Sequence, residues 1–314
     1  MNDDSVPRAL VMGESLVDVV ERHGSPRAVH AGGSPLNVAF GLARLGIHVT
    51  FATEYGADPH GSLIADHLHS AGVDTLNTSH GNPTSTATAR IDPEGAAHYD
   101  FSLDWDFAPT ALPPAELVHT GSIGALREPG ATAVRRHVNA LGDDTLVTFD
   151  PNVRPSLMPD REQTLKSVDW YSRHAHLVKL SDEDAHWLFP GWTHRTVLDW
   201  ILDRGAGIAV LTRGGDGSLL RSRAAEIEIE ASAAHVVDTI GAGDAYMAGL
   251  LAGLMGAEPR GQLQRGNVSD IVLRSIGELA SRVAALTVAR AGAMPPTLDE
   301  IQALQTVPAA RGGS

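Results

Sequence analysis

The stretch DTIGAGDAYMAGLLAGL, residues 238–254, sets two glycines and a carboxylate just ahead of an apolar run with helical character. Gly241 and Gly243 loosen the backbone so that N–H groups can point outward at a helix start, and such a place attracts anions. Asp244 nevertheless puts a carboxylate on the rim. Phosphoryl transfer accounts for both features. The amides of Gly241, Ala242 and Gly243 would hold the charge developing on the migrating group, while Asp244 faces the attacking hydroxyl and takes its proton. A helix N-terminus favours the ionised Asp244 that this role needs. The later small residues, Ala248, Gly249, Ala252 and Gly253, read as a face that lets a neighbouring element approach closely.

Two common phosphate motifs are absent. The third glycine of a dinucleotide GxGxxG would fall at Tyr246, and the stretch lies late in the chain rather than after a first strand. A dinucleotide oxidoreductase is disfavoured on that ground. A Walker A loop needs Gly-Lys-Ser/Thr, and neither lysine of the chain, Lys166 or Lys179, follows a glycine.

The elements that must position this chemistry alternate along 314 residues, of which 43% are hydrophobic and 20% charged. Strands are expected at 8–12, 47–53, 117–121, 145–150, 176–180 and 208–212. Helices are expected at 35–45 and near 59–71, 129–141, 182–189 and 195–204. This rhythm predicts an α/β fold, doubly wound, with a mostly parallel sheet flanked by helices. Residues 16–31 and 84–102 break the rhythm as short extended pieces around turns, DPEG among them. They read as a small β-sheet lid on a single domain covering 1–314. The tail TVPAARGGS reads as frayed.

Composition narrows the function. Net charge is −14, from 24 Lys+Arg against 38 Asp+Glu, and no basic face is available for nucleic acid. Cysteine is absent, which removes disulfides, thiolate catalysis and Cys-ligated zinc. The polar start MNDDSVPR is unlike a signal peptide and no apolar run suits a membrane span, so a soluble cytoplasmic protein is the expectation. Fifteen histidines raise the question of zinc. There is no HExxH, and HLH (67–69) and HAH (174–176) lack a convergent carboxylate, which favours a locally hydrogen-bonded face.

VVDTIGAGDAYMAGLL resembles the C-terminal signature of the ribokinase-like (pfkB) carbohydrate kinases. AGGSPLNVAFGLARLG, residues 31–46, resembles the N-terminal signature, in the right order and spacing, and the likeness runs over about residues 8–305. The resemblance implies an ATP-dependent sugar kinase with Mg²⁺ and a lid that often pairs two subunits into a homodimer. It places Asp18 of GESLVD, Gly32, Gly33 and Asn37 against the sugar. Glycines let backbone approach a polyol, and carboxylate and carboxamide supply multiple hydrogen bonds.

Further segments carry further expectations. In EYGADPHG, Asp58 reads as the cap of a helix beginning at Pro59. FDPNVRPSLM resembles the fructokinase branch and puts Asn152 and Arg154 at a strand's C-terminal end, where Arg154 meets substrate or stands as an exposed turn arginine. KLSDEDAHWLF departs from the family's Asn-x-x-Glu. Ser181 and Asp184 read as a variant capping box, with Asp184 reaching a metal through water as the alternative. Lys179 is a candidate phosphate contact. LTRGGDGSLL implies nucleotide contacts at Thr212, Gly214 and Gly217, with Arg213 beside phosphate, although a plain β-turn would look similar. ALTVARAGAMPP, residues 285–296, matches the segment closing over adenine. Its carbonyls, with those of Asp238 and Ile240, imply a monovalent cation, K⁺. Fructose is the favoured acceptor. Ribose, 2-keto-3-deoxygluconate and nucleosides stay open, as does a sugar sensor that has lost the chemistry.

Overall fold

The computed structural model describes residues 8–22, 27–91, 97–109, 111–158, 160–257, 260–264 and 266–306. The DPEG turn, most of the TVPAARGGS tail and nearly all of MNDDSVPR lie outside them. Thirteen strands are described. They are β1 (Arg8–Met12), β2 (Leu16–Arg22), β3 (Ala28–Gly32), β4 (His48–Thr53), β5 (Asp74–Asn77), β6 (Thr86–Ile91) and β7 (Ala97–Ser102). The second half adds β8 (Leu117–Gly121), β9 (Leu146–Asp150), β10 (Leu177–Ser181), β11 (Ile208–Thr212), β12 (Ser218–Arg221) and β13 (Glu226–Ile229).

Nine strands form one sheet in the order β13-β12-β11-β10-β9-β8-β1-β4-β5. From β5 to β11 every pairing is parallel, and β12 and β13 close the edge antiparallel. Strands buried on both faces read as apolar runs, as RALVM, LVTFD and IAVLT do. The two faces bury separate apolar clusters, one around Val11, Phe51 and Leu250, the other around Phe149, Tyr171 and Leu211. Because the strand order reverses about β1, the C-terminal ends of β1 and β8 open the crevice where ligands of such sheets bind.

The second sheet has the order β3-β2-β6-β7, with β2 and β6 parallel and the outer pairs antiparallel. The two stretches expected to form a flap therefore join in one four-stranded sheet.

Helix Ala242–Ala257 carries small residues because its neighbours come close. A Cβ on Gly249 would stand 2.6 Å from Ala280 Cα, and one on Gly253 would stand 3.2 Å from Ile276 Cα, both on helix Asp270–Val288. Ala248 meets Gly41 of helix Ser34–Arg44 in the same way. Among the described residues, no helix is long and apolar enough to cross a membrane.

Candidate active site

Helix Ala242–Ala257 begins at Gly241, whose φ of +73° is a left-handed value that a side chain resists. A Cβ there would also stand 2.5 Å from that of Ala293. The N–H of Ala242 donates to Thr239 O at 3.2 Å. Among the described residues no acceptor takes the N–H groups of Gly241 or Gly243. Of the three amides expected to face an anion, the middle one is thus used by the turn itself.

Asp244 follows in the first turn and is 7% exposed. Its Oδ1 accepts from the Ser34 hydroxyl at 2.7 Å and from the Asn152 carboxamide at 3.4 Å. Its Oδ2 accepts from Asn37 Nδ2 at 2.8 Å. Burial raises its pKa above the ordinary carboxylate value, opposed by the bonds from Ser34 and Asn37 and by the charges of Lys179 and Arg154. Dehydration thus outweighs the favourable partners and acts against the ionised state that the helix start favours. A base nearer neutrality takes a proton more readily.

The residues expected on the sugar side converge on the same crevice. Asp18 lies on β2 opposite His30, and its pKa is raised by burial, with His30 and Arg154 opposing and Asp244 adding to the rise. Gly32, opposite Leu16, lies so close that a Cβ on it would stand 2.2 Å from Asp18 Oδ2. Gly33, at φ +110°, starts helix Ser34–Arg44 and accepts the Asn37 N–H at its carbonyl. Arg154 is exposed; among the described residues its side chain donates to the carbonyl of Val153, and its charge favours the ionised forms of both Asp18 and Asp244.

Behind Asp244 lies a buried ion pair. Lys179 Nζ meets Asp150 Oδ2 at 2.7 Å, with the residues 3% and 1% exposed. Burial pushes Asp150 up to about 6 against the pull of Lys179. Burial also opposes the Lys179 charge, yet Asp150, Asp184 and Asp244 together raise its pKa, so the ammonium persists. A Cβ on Gly243 would stand 3.4 Å from Lys179 Nζ. The structure therefore places Lys179 beneath the cradle, engaged by a carboxylate.

Ser181 and Asp184 form a complete capping box on helix Asp182–Leu188. Asp184 Oδ2 accepts the Ser181 N–H at 2.9 Å and Oδ1 accepts the Val153 N–H at 2.7 Å. Both oxygens are thus explained by main-chain donors, which tie the 150–154 segment to the end of β10. No group of three His, Cys, Asp or Glu side chains is placed to hold a metal among the described residues. His67 and His174 instead stack on Phe40 and Trp170, and His176 takes the Val147 N–H.

Thr212, Gly214 and Gly217 lie on the hairpin between β11 and β12, so turn and loop are one feature. Gly214 and Gly217 have φ of +52° and +80°, and a Cβ on Gly217 would stand 2.1 Å from Ile229 O. Arg213 is bound by Glu228 of β13 and by the carbonyl of Asp216. Asp238 clasps two turns, accepting from Ile240 N–H at 3.0 Å and Gly292 N–H at 2.9 Å. Residues 285–288 of the segment expected to close over adenine belong to the end of helix Asp270–Val288, so only residues 289–296 of it are loop.

Glu14, Ser34 and Asp150 escaped the sequence reading. Each lay inside a motif already marked (GESLVD, GGSPLN, FDPNVR), but its partner, Gly124, Asp244 or Lys179 in turn, comes from a distant part of the chain. Glu14 is 4% exposed, accepts the Gly124 N–H at 2.7 Å, and is pushed by burial up to about 7. A cavity of about 730 Å³ lies elsewhere, lined by Arg127, Arg135, Leu157, Met158 and Trp170 among others, and includes none of the groups around Asp244.

A pfkB family carbohydrate kinase model matches residues 9–300. A fructokinase of Escherichia coli is 31% identical over 296 residues, covering 90% of this chain and 94% of that one. A crystal structure of fructokinase with bound ATP from Xylella fastidiosa superposes with a TM-score of 0.77 at 26% identity, covering 95% and 97% of the two chains. The aminoimidazole riboside kinase of Salmonella enterica, solved with aminoimidazole riboside and an ATP analogue, gives 0.79 at 24%, covering 95% and 100%, a likeness of fold. With a family match spanning both signatures and nearly every strand of the large sheet, the chain belongs to the pfkB carbohydrate kinases, phosphotransferases acting on a sugar hydroxyl.

Proposed function

We propose that this protein is a fructokinase, transferring the γ-phosphoryl group of ATP to a hydroxyl of fructose. The observation that carries the reading is the Asp244 carboxylate, clamped by Ser34 and Asn37 one turn from the free N–H groups of Gly241 and Gly243. The sugar lies along Gly32, Gly33 and Asn37, with Asp18 accepting from its hydroxyls and Arg154 closing the crevice. Asp244 takes the hydroxyl proton as the oxygen bonds to the γ-phosphorus, and the bridging oxygen leaves with ADP. The Gly241 and Gly243 amides hold the charge on the equatorial oxygens. The small sheet covers the crevice and excludes water. Fructokinase relatives support fructose as the acceptor.

ATP would lie along the hairpin of Thr212, Gly214 and Gly217. Beyond the hairpin, Val236, Val237 and Ile240 expose between 55% and 60% of their surface, which suits an apolar planar base. Mg²⁺ neutralises phosphate charge when bound. An ion that keeps several waters and rides on phosphates fits a site without a protein cage, with Asp184 reaching it only through water. K⁺ would rest on the carbonyls of Asp238 and Ile240, which the Asp238 clasp brings beside the 292 turn. The same reading puts the enzyme in the cytoplasm as a homodimer through the small sheet, whose outer strands β3 and β7 are each paired on one side only among the described residues.

The test is ADP release across fructose, ribose, 2-keto-3-deoxygluconate and nucleosides, with and without Mg²⁺ and K⁺. Fructose should give the highest kcat/KM. A nucleoside or keto acid ahead of it would reassign the acceptor, and sugar binding without ADP release would mark a sensor.

A further inference from the structure

We infer that Asp150 and Lys179 are positioning residues for the transfer: together they hold Asn152 against Asp244 and fix a positive charge under the turn at Gly243. The inference rests on the reading of Asp244 as the base.

Asp150 divides its carboxylate between two tasks. Oδ2 binds Lys179 Nζ at 2.7 Å, and Oδ1 accepts the main-chain N–H of Asn152 at 3.2 Å. The second bond is an Asx turn, which stabilises an unusual backbone two residues on. Asn152 has φ +35°, a left-handed value that most side chains avoid and asparagine tolerates, and the Asx bond holds it there. Held so, its carboxamide lies 3.4 Å from Asp244 Oδ1. Asp184 ties the next residue, Val153, through Oδ1. Two carboxylates thus fix consecutive residues of one short segment, and that segment ends at Arg154.

Lys179 acts from the other side. Its ammonium stands under Gly243, 3.4 Å from where a Cβ would be. Negative charge grows on the transferred group at this turn, and a cation already in place needs no reorganisation when it does. Nearby His119 supplies no competing cation, since burial first, then Lys179, holds its imidazole down at about 3.

Stability alone gives a weak reason for such a pair. Each buried ion loses its hydration, and well-packed apolar replacements are often as stable or more so. Breaking one partner leaves an uncompensated charge, so single variants say little about function.

The decisive variant is the double substitution Asp150→Asn with Lys179→Met, which removes both charges together. It should keep the wild-type melting temperature and its KM for fructose within about threefold, and lower kcat by about 10²-fold, the scale of a lost preorganised donor. Asn152→Gly keeps the left-handed backbone and removes only the carboxamide, and it should lower kcat by about tenfold. The asparagine oxygen still accepts the Asn152 N–H, so a double variant with wild-type kcat overturns the role given to the buried charges. An Asn152→Gly enzyme that turns over at the wild-type rate overturns the role given to Asn152, a result that holds even where the double variant does not fold. Asp244→Asn, assayed in parallel, separates the two failures. Full activity there removes the base itself, whereas an inactive Asp244→Asn beside a fully active double variant removes only the positioning.

Discussion

The Asn37 carboxamide donates to Asp244 Oδ2 at 2.8 Å, joining two helix starts 207 positions apart in the chain. One start belongs to the N-terminal signature and the other to the C-terminal signature. Ser34, three residues before Asn37, binds the other oxygen. Asp244 and the turn at Gly32 and Gly33 therefore belong to one hydrogen-bonded unit, and on the proposed reading a sugar seated on those glycines is aligned to the base by the fold itself.

Replacing Asp244 by asparagine tests the base directly. Asn37 can turn its carboxamide over and accept from the new amide, so the clamp survives. We expect sugar and ATP binding to persist and kcat to fall at least ~10²-fold, as for a lost general base. Titration calorimetry and steady-state rates measure the two quantities. Turnover at the wild-type rate would remove Asp244 from the mechanism.

The pH profile is set by the same clamp. Burial raises the Asp244 pKa and the Ser34 bond lowers it. Because the base works only when deprotonated, activity is lost as pH falls through that raised value. Ser34→Ala removes a stabiliser of the anion, so the pKa rises further and the acid limb of kcat/KM moves to higher pH. One hydrogen bond to a charged group suggests a move of about one pH unit. A limb that stays in place, or moves down, would contradict the assignment of Asp244 to it.

Much of this was legible in the chain. Apolar runs such as LVTFD announced buried strands, and GAGD announced a glycine turn at a helix start that carries Asp244, because local chemistry determines both. Helix Arg161–His174 was not anticipated. Its buried face is Thr164, Val168, Tyr171 and Ser172, so hydroxyls interrupt the apolar period that would have marked it. Strand β12 is four residues long and gives little pattern of its own, and β13 reads EIEI. The Asp150–Lys179 pair was hidden for another reason. Each residue lies in a strand that reads well alone, but only the β9–β10 pairing brings the charges together.

Gly32 gives a prediction about substrate binding. Adding a methyl there places carbon 2.2 Å from Asp18 Oδ2, so the carboxylate must leave its position beside the sugar. Gly32→Ala should raise KM for the sugar by about tenfold or more while leaving KM for ATP and kcat nearly unchanged, the pattern of lost uniform binding. Initial rates over both substrates provide the check. An unchanged sugar KM would mean that Asp18 does not contact the acceptor.

Glu14 yields a prediction about stability. It is fully enclosed, and burial moves its pKa from 4.5 up to about 7 against the bonds from Gly124 and Ser122. Between those values the folded protein binds the extra proton, so this group's contribution to stability declines as pH rises and is lowest above 7. The shift corresponds to roughly 3 kcal/mol in all. Glutamine retains an acceptor for the Gly124 N–H, offers Ser122 a donor, and never ionises. Glu14→Gln should therefore be more stable than wild type at pH 8, with the advantage shrinking steadily toward pH 5. His119, kept neutral by burial, destabilises both proteins alike as pH falls below its ordinary 6.5, and the difference between them cancels it. Urea unfolding of the two proteins at several pH values measures that difference. A difference that does not change with pH would show that Glu14 has the same pKa folded and unfolded, and the electrostatic account of the β1–β2 junction would fail.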